Sequence, residues 1–338
     1  MQGIEQLTAR FELPARPICF RLLDSQKGSY LIDLLGGESV ILEKIDTARF
    51  EVPEAMAANA EAVSKWLDGS SIAHIVFYRT HDSKLFCEHD GGLWRCRGYI
   101  GRMHSLESPI SDEDAKRAAR ALGDFHAALD DIPLGPLKTT LGDFHNTPKI
   151  FDDFRDAVDS AADELKNAAA REISFALRQR KFTSALLAMQ LPARAVHNNI
   201  GRESILLGDD GQEACIIPYD YVMPGLLCFD FGALVCALCH DCADDESDLE
   251  KIRFDIDRYA DIAMAYVAAM RVRFDKKEPS SLAPGCVVMA LEQGIKHLME
   301  YLKSGDEQSL FRARVQLMLC MQMQYYYKEA ENIIKRCF

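Results

Sequence analysis

The chain has 338 residues, 48% of them hydrophobic and 27% charged, with a formal net charge of -13. That length suits two packed lobes. The acidic balance argues against nucleic acid, whose phosphates need clustered Lys and Arg, and against an anionic membrane surface. Small molecules or proteins are the expected partners.

The first residues, MQGIEQLTARFELPAR, bear early charges and no apolar core of signal-peptide length, so a cytoplasmic location is expected. No apolar run approaches a membrane span. The 11 cysteines are scattered and odd in number, which reads as small buried hydrophobes in a reducing compartment rather than disulfides.

The first hundred residues alternate short apolar runs with turn signals. ICFRLLD, SYLIDLL, SVILEKI, AHIVFYR, KLFCEH and LWRCRGYI read as strands. PEAMAANAEAVSKWLD, between the third and fourth, has helical apolar spacing, with Pro53 near its start. From Ser111 the pattern becomes helical. SDEDAKRAARALGDFHAALDDI opens on a Ser cap and early acids. Helices also fit residues 151–181, 247–270, 285–303 and 310–336. One strand-rich island interrupts them, where ESILL and ACIIP flank GDDGQ as a hairpin. The fold expected is α+β and two-lobed: an antiparallel-sheet lobe over 1–100, then a mainly helical lobe over 101–338 with an embedded hairpin. The hinge is expected near Tyr99 to Arg102.

The island carries a family resemblance. His197-Asn198-Asn199, the hairpin, and IPYDYVMPGLLCFDFGA from Ile217 to Ala233 resemble the catalytic stretch of the aminoglycoside phosphotransferase and choline kinase superfamily, in its N-acetylhexosamine 1-kinase branch. VILEKIDTARFEVPEAMAANAEAV, LWRCRGYI, GDFHNTPKIFDDF, LEQGIKHLMEYL and LFRARVQL resemble further family segments in the same order. The resemblance implies a protein-kinase-like fold, ATP and Mg²⁺ as cofactors, and a sugar as phosphoryl acceptor.

The likeness fails where the chemistry sits. The family's catalytic Asp aligns with Asn199, and an amide cannot take a proton near neutral pH; losing a general base costs roughly 10²- to 10⁴-fold. The metal-binding Asn aligns with Ser204, and the metal-binding Asp with Pro218, which has no side-chain oxygen. Asp220 matches the family's second Asp; read as part of a strand, it would share a face with Pro218 and hold a displaced metal. Of the Gly-rich phosphate turn, Gly28 and Tyr30 remain. Lys44 has two readings, a phosphate contact or a solvated strand charge. The family's substrate-side Arg aligns with Lys296, which loses bidentate hydrogen bonding. His197 and Asp230 are expected to brace the catalytic loop, and Trp94 and Arg95 to organise the lobe interface.

Cys236-Ala-Leu-Cys239-His240 also spells a haem-attachment pattern, and with Cys242 a cramped zinc set. Its placement in an apolar helix favours core packing. Two functions remain from the sequence: a pseudokinase or regulatory protein that binds a sugar, a nucleotide or a protein partner without phosphoryl transfer, and an active atypical sugar phosphotransferase using Asp220 for its metal.

Overall fold

A computed structural model of the chain describes residues 2–25, 28–209, 211, 213–270 and 273–338. Helix α1 (Gln2–Thr8) precedes strands β1 (Pro17–Asp24), β2 (Ser29–Leu34) and β3 (Ser39–Lys44), then α2 (Pro53–Leu67), β4 (Phe77–Tyr78), β5 (Cys87–His89) and β6 (Gly92–Gly98). These strands form one sheet in the order β1-β2-β3-β6-β4, with β5 added to β6, and all pairs are antiparallel. Strand alternation gives this sheet two unlike faces. Val40, Leu42, Trp94 and Cys96 join Leu7 of α1 in one apolar cluster. Glu43, Arg95 and Arg97 project from the other face, toward α2 and the second lobe.

Residues 99–102 carry the chain to β7 (Met103–Ser105), which pairs with the hairpin strand β9. Helix α3 (Asp112–Ala128) is capped by Ser111, whose hydroxyl accepts the Asp114 N–H. Then come α4 (Thr147–Ser160), α5 (Asp163–Ala168), α6 (Ala170–Leu177), α7 (Ala185–Ala188), β8 (Arg194–Val196), β9 (Ile205–Gly208), β10 (Ala214–Ile216), β11 (Met223–Gly225), α8 (Leu227–Leu238), α9 (Ile256–Met270), α10 (Pro279–Ser304), α11 (Glu307–Tyr325) and α12 (Tyr327–Cys337). The large core lies here, around α3, α8, α9 and α10. Helices α8 and α10 nearly touch: a Cβ on Gly232 would fall 2.7 Å from the Gly285 carbonyl oxygen, and one on Gly285 would fall 2.6 Å from that of Cys228.

Three expected helices are shorter than their sequence pattern. The 151–181 segment is divided at Ala161 and Ala169; nothing in the local sequence explains the first break. Residues 252–255 leave the helical path because tertiary bonds claim their backbone: Phe254 N–H donates to the Gln322 side chain, and Asp255 N–H to the Cys239 carbonyl. The 310–336 segment turns at Tyr326 between α11 and α12. Among the described residues, no helix is long and apolar enough to cross a membrane.

Candidate active site

The two-stranded ladder β8–β11 pairs Val196 with Met223 and so sets the loop 197–201 beside the segment 217–222. The buried Asp230 carboxylate, in the first turn of α8, then fixes the loop. It accepts N–H bonds from His197 (2.6 Å) and Asn198 (2.7 Å), and His126 Nε2 bonds it at 2.9 Å. Burial alone would raise the pKa of Asp230; the His126 hydrogen bond and the nearby imidazoles hold it below the usual carboxylate range. His197 is also buried, its Nδ1 accepting the Asn199 N–H at 3.3 Å. Burial lowers the pKa of His197, with Asp230 opposing, so the ring stays neutral and structural. Asn198 adopts a left-handed backbone (φ +64) and donates its amide to the Val196 and Tyr221 carbonyls. Its Oδ1 occupies the space a Cβ on Gly225 would need, at 2.6 Å, so Gly225 is required there.

Asn199 faces a cavity of about 900 Å³, which the loop shares with Arg49, Phe144, His145, Gln293 and Lys296. No hydrogen bond within the described residues holds its side-chain amide. Behind it, His145 bonds the Asn198 carbonyl through Nε2 (2.7 Å) and Glu292 through Nδ1 (2.6 Å). Glu292 is fully buried and is satisfied further by Thr147 Oγ1 and Lys296 Nζ. Desolvation opposes ionisation of Glu292, but His145 and then Lys296 hold its pKa below the usual value. Lys296 also donates to the Phe144 carbonyl at 2.8 Å. It therefore lines the cavity while bracing its wall.

The remaining expected ligands do not join Asn199. Tyr219–Tyr221 forms a 3-10 turn rather than a strand, so Asp220 does not share a face with Pro218. Its carboxylate is taken by Arg95 in a bidentate pair, at 2.6 and 2.9 Å. Arg95 is 5% exposed, and it also bonds Glu43 at 2.7 Å. Arg97 holds the same Glu43 carboxylate. Burial resists the charge on Glu43, yet Arg97 and Arg95 bring its pKa down to about 2. Arg95 closes its own seat with a face-on contact to Phe77 at 5.4 Å. Asp220 is thus a lobe-bridging residue, with both oxygens committed to a guanidinium.

Ser204, expected as a metal ligand, is 1% exposed and tied to its own turn: its hydroxyl donates to the Gly201 carbonyl and accepts the Gly201 N–H, both at 2.8 Å. Neither bond leaves it directed at a cleft ion. Lys44 follows Glu43 in β3 and so projects from the opposite face. Its side chain runs over Gly92, beside Gly28 and away from Asp220, which favours the solvated-charge reading over a phosphate contact. Gly28 has the positive φ (+63) expected of a turn glycine; residues 26 and 27 of the same turn lie outside the described residues. Cys236 and Cys239 are buried in and just after α8, and Cys242 Sγ contacts His240 Nδ1 at 3.2 Å. Among the described residues, no three His, Cys, Asp or Glu side chains are grouped to hold a metal ion.

Sequence reasoning missed Arg49, Glu203 and Glu292. Glu292 carried one legible signal, its i,i+4 spacing from Lys296 in a helix. Glu203 folds back over Gly201 to face the cavity, and Arg49 reaches it from the turn after β3; neither stands in a recognisable motif.

A small antiparallel sheet with two helices, a hinge, and a helical lobe whose anchored loop faces a cavity define a two-lobed, protein-kinase-like fold. Solved structures agree. An amicoumacin kinase in complex with AMP-PNP and Ca²⁺ superposes with a TM-score of 0.62 at 11% identity, over 95% of this chain and 93% of that one. A microcompartment-associated aminopropanol kinase gives 0.59 at 15% identity, over 97% and 98%. The Plasmodium vivax ethanolamine kinase gives 0.58 at 13% identity, over 96% and 84%. The sequence profile of the phosphotransferase enzyme family matches residues 30–262, and the chain belongs to that family.

Proposed function

We propose that this protein is a degenerate member of the N-acetylhexosamine 1-kinase branch, a pseudokinase that binds a sugar-type ligand in the helical lobe and transfers no phosphoryl group. The observation that carries this reading is the bidentate Arg95–Asp220 pair. In-line phosphoryl transfer needs a carboxylate to orient the attacking hydroxyl and hard oxygen ligands to hold Mg²⁺ on the phosphates. At the corresponding positions stand an amide (Asn199), a proline (Pro218) and a serine closed on its own turn (Ser204). Asp220, the carboxylate left nearby, already neutralises a buried guanidinium. A metal ion would have to displace Arg95 from Asp220 and leave that buried cation with Glu43, a carboxylate it already shares with Arg97, which is costly.

What the residues retain is a binding architecture. The loop is braced by Asp230 and His145, so the Asn199 amide is held in place to hydrogen-bond a ligand hydroxyl. Glu43, Arg95 and Asp220, the charged groups of the seam, satisfy one another and offer no free carboxylate for Mg²⁺. The lobe division at about residue 100 and a cytoplasmic location are part of the same proposal.

The test is ATP turnover with Mg²⁺ across a panel of amino sugars, beside an Asn199→Asp, Pro218→Asp double variant. No turnover by the unmodified protein is expected. Turnover that disappears in Asp220→Ala would sink the pseudokinase reading in favour of an atypical kinase.

A further inference from the structure

Arg49 belongs to no motif, yet it stands at the mouth of the cavity beside Asn199. Its guanidinium carbon lies 5.0 Å from the Tyr221 ring centroid and 5.8 Å from that of Phe144. Lys296 Nζ lies 4.5 Å from the same Phe144 ring. Two cations therefore flank one aromatic side chain. Lys296 is balanced by Glu292, but Arg49 has no ion pair among the described residues. Its two ring contacts give the guanidinium a fixed seat without neutralising it.

The rest of the lining sharpens the point. Lys303 and Arg312 face the same space without ion pairs, and one turn of α10 after another carries Lys303 about 10 Å beyond Lys296. Of the lining carboxylates, Asp244 is held by Arg202 and Glu300 by His297. Glu203 and Asp245 carry no ion pair; Glu203 is the one near Asn199. Five Arg and Lys side chains face four lining carboxylates, and with Glu292 behind Lys296 the two signs balance, in a chain of net charge -13. Of the positions aligned with the family's base and metal ligands, Asn199 lines this cavity and Ser204, Pro218 and Asp220 do not, and Asn199 brings an amide.

We propose that this cavity takes a phosphate monoester of a small polyhydroxylated molecule, without a metal ion. The phosphate rests on Arg49 and the Asn199 amide, and the hydroxylated body extends along α10 past Gln293 toward Lys303. The geometry suits a monoester because a guanidinium offers paired donors to phosphate oxygens. The inference rests on the pseudokinase reading and names its ligand.

The test is calorimetry on the full chain in EDTA, with N-acetylglucosamine 1-phosphate, N-acetylglucosamine and inorganic phosphate as probes. The sugar phosphate should bind at least about tenfold more tightly than either of the others. Arg49→Ala should erase that preference, and Asn199→Asp should weaken the sugar phosphate while sparing the neutral sugar. Glu203→Gln should tighten the sugar phosphate. Equal affinity for sugar and sugar phosphate, an unchanged preference in Arg49→Ala, or binding that appears only with Mg²⁺ would overturn the proposal. ATP consumption in the same samples reports separately on the pseudokinase reading, so the two can fail independently.

Discussion

The seam between the lobes and the cavity beneath it use similar residues to opposite ends. In the seam, Glu43, Arg95, Arg97 and Asp220 satisfy one another, and Arg95 is almost wholly buried. In the cavity, Arg49, Asn199 and Glu203 face open space without ion pairs or side-chain hydrogen bonds among the described residues. A charge that is paired and desolvated holds structure; one that is seated but unpaired is available to a ligand. On the function proposed above, the seam is closed by its own pairs and the cavity stays open to a ligand.

Four measurements would break or sharpen this contrast. Arg95→Ala strands Asp220 in the seam, while Glu43 keeps Arg97, and should cost about 3–5 kcal/mol in urea unfolding. A cost under about 1 kcal/mol would mean the seam is not held by this pair. Asp230→Ala removes the acceptor of two loop N–H groups and of His126, and should cost about 3 kcal/mol while also disordering the Asn199 side of the cavity; amide exchange at His197 and Asn198 would report the second effect.

The third concerns acid. Because the pKa of Glu43 is depressed from 4.5 to about 2 in the folded protein, its contribution is present above the unfolded value and lost as pH falls through the folded one. The shift corresponds to on the order of 3 kcal/mol. Glu43→Gln should therefore flatten the stability profile between pH 4.5 and pH 2 relative to the parent. An unchanged slope would remove Glu43 from the seam. The smallest effect is expected at Asn199→Ala, within about 0.5 kcal/mol of the parent, because its amide bonds nothing in the protein. A large loss would give Asn199 a structural role instead.

Much of the architecture was legible in the sequence, because alternation, caps and turn residues act locally. The first-lobe strands, α2, α3 and the hairpin fell where their patterns placed them. The expected roles of His197, Asp230 and Arg95 also match their positions, since each is a residue that backbone or partner charges must satisfy. The ligand set was less legible. Asp220 and Ser204 were read as open oxygens, but whether an oxygen is free depends on partners far away in sequence: Arg95 lies 125 positions from Asp220. Lys44 had two readings, and its strand position sets it on the sheet face opposite Glu43. Arg49 escaped notice because its seat is made by two rings, Phe144 and Tyr221, that no local pattern brings together.

The Arg95–Asp220 pair also works as a ratchet on the history of the site. A return to metal-dependent chemistry would need a carboxylate restored at Pro218 and a base restored at Asn199. It would also need Asp220 released from its partner. Removing Arg95 first strands Asp220; adding a carboxylate at position 218 first sets it against Asp220. On the function proposed above, each single step passes through a less stable protein, so a path back to catalysis is uphill from either side.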